Sequence, residues 1–562
     1  MNNKDTASRL FLRLGGLLFA LSLAGLNAFG VQPAYAAYRN GRPTCDQDAP
    51  LCTERLRSQN YKGTYTGHDE PALLFYSDVP GSGNSNLYKL TLPKDPPNLP
   101  KQDGTGGTFN FQLHPAFWFG MAMCDSQSAP NPGQPCTPDS DTNIFDGADP
   151  TKPDYIGKHP GTAYMEMQFY PPGWTPWPVG NSCDPFKWCA ALTITSVSQN
   201  LNGQVLNPSC SQFTGVGHQN FAFITANGKT YAPANPVEST LTTITPDPTK
   251  VLLMDPGDKL AVTMHDTPDG FRVVIRDLTT GETGSMTASI ANQFGQVKFA
   301  PAPSTECTNI PYAFHPMYST TSEHTRVPWA SHSYNIAFTS EIGHFEYCDQ
   351  VDSSGNCVMA GVNDPDGVDF DEFFCFSAAQ STRIGIAGCY GTDIDFDGVP
   401  YQHTWPGSLQ DRGQDGRFNP RPVLFTSPLF RPDSGAEEQL RNYSRVGFET
   451  DLPNIEDPTF SPNNNCNIST GSGCVNPPNG ANFYPIYSTR GGDGDRDRDD
   501  DGSCAWQLGG PYIPGTKNKF GGTSTAEYGA LLQLTYADVG GTISQYQDFR
   551  QILPNNPCKA KR

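Results

Sequence analysis

Glu166 and Gln168 are the residues of this chain whose types and spacing most readily suggest chemistry. They stand two apart in A-Y-M-E-M-Q-F-Y, framed by Tyr164 and Tyr170, with Ala163, Met165, Met167 and Phe169 at the alternate positions. Strand side chains point to opposite faces with period two. An amphipathic strand would therefore present an acid and an amide on one face and packing groups on the other. A carboxylate there can act as general acid or base, and an amide can hydrogen-bond a polar substrate beside it. Sugar hydrolysis needs two carboxylates facing each other, about 5–10 Å apart depending on mechanism. Glu341, Glu346 and Glu527 are the choices for the second. The rival reading is an ordinary acid on a solvated strand face.

The connection that follows holds Trp174 and Trp177 among prolines and glycines, so it cannot be helical. It leads into an apolar, β-branched strand, Cys189–Val197. Aromatic faces stack on sugar rings while Glu and Gln bind hydroxyls, so Tyr164, Tyr170, Trp174 and Trp177 are candidate substrate contacts. His344 and Glu346 share a face of a strand predicted over 336–347, as an acid/base pair or as a structural hydrogen-bonded pair. His315, His324, His332 and His344 are too irregularly spaced to read as metal ligands. Asp393, Asp395 and Asp397 form D-x-D-x-D-G, whose alternate carboxylates can converge oxygens at the about 2.3–2.6 Å that calcium requires. Similar acidic runs start at Asp364 and Asp493, without the full twelve-residue loop pattern of a helix-flanked calcium site. Arg496 and Arg498 suit a merely solvated loop in the last of these.

The elements that must position such groups are strands. With 56 Gly and 51 Pro, close to a fifth of 562 residues are turn formers, yet 11% aromatic content is too rich for disorder. Lys4, Arg9 and Arg13, the apolar run Leu14–Leu26 and Ala34-Tyr35-Ala36 read as a cleavable export signal over 1–36. That run is short of the ~20 apolar residues a membrane span needs, and no later segment is long enough. The sixteen cysteines all follow the cleavage site, which in an exported chain argues for disulfides. Near neighbours suggest Cys45/Cys52, Cys124/Cys136, Cys183/Cys189, Cys348/Cys357, Cys375/Cys389 and Cys466/Cys474; no C-x-x-C knuckle favours zinc. A net charge of −20 repels phosphate backbones and anionic membranes, which argues against nucleic acid and membrane partners.

Along the chain, 37–149 is loop-rich, with a hairpin predicted from Ala72–Tyr76 and Leu87–Leu92 and a buried strand in Phe109–Met123. A central sandwich is expected over 150–347. It includes a hairpin around Asn227-Gly228 and a β-meander: Lys259–His265, an Asp-Gly turn, Phe271–Asp277, a T-T-G turn and a third strand, continued by Tyr334–Tyr347. A Cys/Asp-rich, candidate calcium segment spans 348–415. Strands at Val423–Thr426, Ser444–Phe448, Asn482–Tyr487 and Ala530–Tyr536 in the segment 416–562 complete the sheets.

The stretch G-D-K-L-A-V-T-M-H-D-T-P-D-G-F-R-V-V-I-R-D-L-T-T-G-E-T-G-S-M resembles the strand-turn-strand of concanavalin-like jelly rolls, especially the glutamic peptidases. That resemblance implies a Gln and a Glu on a concave sheet that activate water at acid pH. It also nominates Glu527 in T-S-T-A-E-Y-G, where Tyr528 replaces the expected Trp, with Gln168 as an available partner. Most of the mature chain also resembles a group of large Cys- and Pro-rich exported bacterial proteins, a likeness that brings no activity with it. The expectation is an all-β, antiparallel, jelly-roll-type sandwich with long disulfide-pinned loops and irregular ends. It would be secreted or held at the wall, act as a monomer, and bind or hydrolyse an extracellular polymer, most simply polysaccharide. The other readings are a glutamic-type acid peptidase and a non-catalytic wall or adhesion protein rigidified by calcium.

Overall fold

The computed structural model describes residues 54–57, 72–77, 79, 81–94, 117–128, 136, 161–172, 183–184, 186–197, 207–214, 217–300, 305–316, 336–340, 348–351, 357–360, 423–431, 439–451, 487–490, 504–508, 530–537, 543–553 and 555–561. In chain order the strands begin with β1 (Glu54–Arg57), β2 (Ala72–Tyr76), β3 (Ser85–Thr91), β4 (Phe117–Cys124), β5 (Thr162–Tyr170), β6 (Cys189–Val197) and β7 (Gly217–Phe223). Next come β8 (Lys259–His265), β9 (Arg272–Asp277), β10 (Thr283–Thr287), β11 (Gly295–Val297), β12 (Asn309–Pro311), β13 (Ile336–Ser340), β14 (Cys348–Val351) and β15 (Cys357–Ala360). The last are β16 (Leu424–Phe425), β17 (Leu429–Phe430), β18 (Arg441–Asn442), β19 (Arg445–Asp451), β20 (Tyr487–Arg490), β21 (Ala505–Leu508), β22 (Ala530–Ala537) and β23 (Ile543–Leu553). Helix is confined, among the described residues, to α1 (Pro208–Thr214), α2 (Leu241–Ile244) and one 3-10 turn at Ile290–Asn292.

Two large antiparallel sheets result. The first runs β1-β22-β23-β19-β2-β13-β4-β5-β6-β7, and the second β10-β9-β8-β3-β16-β21-β20, with β17 and β18 attached beside β3. Their inner faces share one hydrophobic core, to which Phe119, Met165 and Leu192 come from one sheet and Tyr88, Val262 and Ile275 from the other. Phe119 stacks on Tyr88 at 4.3 Å and Phe338 on Phe425 at 3.6 Å, so the sheets meet ring to ring. Side-chain burial alternates along β8, as the K-L-A-V-T-M-H pattern dictates, with Leu260, Val262 and Met264 inward. In contrast β4, F-W-F-G-M-A-M-C, is buried at every position, because apolar groups occupy both of its faces.

The meander forms as its turns predict: Gly270 takes φ 128° and Gly281 φ 86°, values open to glycine at the Asp-Gly and T-T-G corners. Three expectations change. Ala72–Tyr76 and the strand beginning at Ser85 do not pair as a hairpin. Strand β2 lies between β13 and β19, while β3 pairs β8 in the opposite sheet. The eight residues 77–84 between them are too many for a tight two-residue turn and carry the chain from one sheet to the other. Strand β13 likewise joins the first sheet instead of extending the meander. At Asn227-Gly228 there is a turn, with Gly228 at φ 70° and its N–H donated to the Thr225 carbonyl, but the chain beyond it forms no strand.

The disulfides Cys124–Cys136 and Cys183–Cys189 close the short loops expected of them. Two more, Cys210–Cys307 and Cys504–Cys558, bridge separations of 97 and 54 residues that nearness in sequence does not reveal. Cys45, Cys52, Cys375, Cys389, Cys466 and Cys474 lie outside the described residues, as do the side chains of Cys348 and Cys357. Among the described residues no helix is long and apolar enough to cross a membrane.

Candidate functional site

Strand β5 sits between β4 and β6, and its register sets Glu166 opposite Gly120 on one side and Thr193 on the other. Tyr164, Glu166, Gln168 and Tyr170 share the face turned away from the common core, as the alternation requires. The tyrosine hydroxyl of Tyr170 donates to Gln168 Oε1, and Gln168 Nε2 donates to Glu166 Oε2 at 2.6 Å. Both ends of the amide are thus engaged, which fixes its orientation. Thr193 Oγ1 donates to the Glu166 carbonyl at 3.2 Å. Gly120 makes room for a neighbour: a Cβ there would lie 2.4 Å from Trp118 Cζ3, so the indole covers the position facing Glu166.

The row is sealed. Glu166 is 4% exposed and Gln168 5%, and Tyr164 and Tyr170 are buried with them. Burial, and then the Glu166 charge, push the Tyr170 phenol well above its ordinary range. Both readings of Glu166, catalytic acid or solvated strand acid, need an accessible face, but the structure encloses it, because Trp118 and the cluster around Cys183, Cys189 and Phe223 pack along it. The other predicted site residues, Trp174, Trp177, His344, Glu346, Asp393, Asp395, Asp397 and Glu527, lie outside the described residues, as does Glu341. Among the described residues no group of three or more His, Cys, Asp or Glu could hold a metal ion.

Among the described residues an accessible cleft lies elsewhere. A cleft of about 1270 Å³ opens beside the ends of β3 and β8 and the segment 311–316. Its walls include His265, Asp266, Tyr312, His315 and Arg431. His315 Nδ1 meets Asp266 Oδ1 at 2.7 Å, with both side chains partly exposed. The Asp266 hydrogen bond raises the His315 pKa above the usual imidazole value, outweighing burial. His265 moves the other way, because burial and then Arg272 disfavour its charged form. An imidazole oriented by a carboxylate can exchange protons or bind an anion through its second nitrogen. The Tyr312 ring is held edge-on to Phe314 at 4.9 Å, and its hydroxyl donates to the Cys124 carbonyl at 3.4 Å. Sequence reading passed over these residues: His265 ends a strand, and His315 lay in an irregular histidine series. The turn chemistry of H-D-T-P-D-G was the one available signal.

Between row and cleft the inner face turns polar. Buried Asp125 accepts hydrogen bonds from Ser196 Oγ, Gln127 N at 2.8 Å and Gln296 Nε2 at 2.7 Å. Its carboxyl pKa is nevertheless raised by burial. These contacts satisfy the group and tie β6 to β11 behind the cleft wall.

A further unforeseen feature, a pair of buried carboxyls, lies at the far end of the meander. Asp277 is buried, and its Oδ1 accepts from the backbone of Thr279 and Thr280, while its Oδ2 has no donor. Asp258 is buried at the same end of the sheet, two residues before Leu260, which pairs with Asp277, and its Oδ2 accepts from the Asp255 N–H at 2.6 Å. Burial, reinforced by Asp277 and Asp255, raises Asp258 to about 6. A carboxyl that binds its proton more tightly folded than unfolded contributes stability below the unfolded value near 4, and that contribution is lost as pH rises through about 6. Asp258→Asn should therefore flatten the decline of Tm between those two values, which differential scanning fluorimetry across that window measures. An unchanged Tm profile would mean that Asp258 does not titrate within this window.

Comparison with protein-family models, with curated proteins and with solved structures returns no match for this chain, so the site must be read from its own geometry.

Proposed function

We propose that this is an exported protein that binds an extracellular polymer, most simply polysaccharide, on a jelly-roll-like body of two facing sheets. The observation that carries the reading is the open cleft of about 1270 Å³, walled by hydroxyls, amides, histidines and the fixed Tyr312 ring. Ligand sites are concave, with an apolar or aromatic platform and a few convergent polar groups, and sugar rings stack on tyrosine while their hydroxyls bond side chains. Four disulfides among the described residues and the export signal suit a protein working outside the cell. The Tyr170–Gln168–Glu166 row then serves as an internal hydrogen-bonded spine. The expected result is binding of the purified mature chain to polysaccharides on a glycan array, retained in Glu166→Gln and lost in Tyr312→Ala. Absence of binding to every glycan would overturn the reading.

One observation favours a second reading, a glutamic-type acid peptidase: Gln168, the amide that the resemblance makes available as partner to Glu527, is hydrogen-bonded at 2.6 Å to the carboxylate of Glu166. Casein clearance at low pH, abolished by Glu166→Gln or Glu527→Gln, would establish it over the first.

A further inference from the structure

The charged groups of the cleft narrow its ligand. The chain carries −20 overall, yet charges beyond about 8–10 Å are screened at ordinary ionic strength, so local composition decides what enters. Asp266 is the acidic residue of the cleft wall, against Arg431 and His315. Its carboxylate is already committed to His315 Nδ1, which leaves Nε2 as the ring nitrogen to meet a ligand. Arg431 is held at the cleft by its own backbone: its N–H donates to the Ser85 carbonyl at 3.0 Å. A guanidinium with parallel N–H donors and an imidazolium N–H together suit a carboxylate. Thr263 and Ser85, also on the wall, offer hydroxyls to the rest of a sugar.

We propose that the cleft selects acidic polysaccharide, with uronate-type carboxylates met by Arg431 and by His315 under the control of Asp266. This rests on the polysaccharide reading above and adds charge selection to it. Asp266 is a positioning residue, since it acts through the imidazole; Arg431 and His315 would touch the ligand.

The test uses two polymers with the same backbone, polygalacturonate and its highly methyl-esterified form, titrated calorimetrically into the full mature chain at mildly acid pH. Polygalacturonate should bind at least about tenfold more tightly than the ester, the difference expected for charge-assisted hydrogen bonds to one carboxylate. Arg431→Ala and His315→Ala should each weaken polygalacturonate binding about tenfold, bringing it toward the affinity of the ester. Arg431→Gln and His315→Gln, which keep more side-chain volume, serve if an alanine variant fails to fold. Equal affinity for the two polymers, or an acidic preference that survives both substitutions, would overturn the inference while the polymer reading stands. Failure of both polymers and of every neutral glycan would remove the reading itself.

Discussion

Replacing Trp506 by alanine should lower the free energy of unfolding by about 3–5 kcal/mol, the range for deleting a buried large aromatic side chain. Trp506 is fully buried on β21 of the second sheet. Its ring stands edge-on to Phe75 on β2 at 6.4 Å and to Phe448 on β19 at 6.0 Å, both in the first sheet. The indole thus pins one layer to the other. Its Nε1 donates to Ser427 Oγ at 2.8 Å; that hydroxyl donates in turn to the Cys558 carbonyl and accepts from Asn556 Nδ2 at 3.2 Å. Two residues away Cys504 is bonded to Cys558, so the C-terminal segment is held at the same place covalently and by hydrogen bonds. Trp506→Phe keeps most of the buried area and loses only one donor to a hydroxyl with another partner, so its cost should be about 1–2 kcal/mol. Urea titration followed by circular dichroism measures both. A loss under about 1 kcal/mol for the alanine variant would mean that the sheets do not depend on this contact.

The parts of this architecture that could be read in advance are those fixed by near neighbours. Strands β8, β9 and β10 were legible because polar and apolar residues alternate and D-G and T-T-G mark their corners. F-W-F-G-M-A-M announced a strand covered on both faces. Sheet membership was not legible: Leu74 on β2 faces Ala337 and Gly447, which no local pattern can choose. The same limit applies to the sites. The alternation that put Glu166 and Gln168 on one face was plain in the sequence, but whether that face met solvent depended on Trp118 and the Cys183–Cys189 loop. His315 and Asp266 lie 49 residues apart, and only the return of 311–316 to the end of β8 brings them together.

Glu166 separates the competing accounts of the row, because its replacements predict different things for stability and for function. Glu166→Ala removes the acceptor of Gln168 Nε2 in a buried setting and opens a void beside Trp118, so it should cost about 2–4 kcal/mol. Glu166→Gln keeps an oxygen for that bond and nearly the same volume, and should cost about 1 kcal/mol or less. Both remove the negative charge that helps hold the Tyr170 phenol above its ordinary range, so the Tyr170 titration, followed by ultraviolet difference absorbance, should move downward in each. An unmoved titration would mean that the carboxylate does not act on the row at all. If the row is a spine, Glu166→Gln leaves polymer binding at the cleft intact while Glu166→Ala lowers Tm. If it is a catalytic pair, the order reverses in its consequences: the conservative Glu166→Gln, nearly silent in stability, abolishes turnover, because an amide has no titratable proton to give or take.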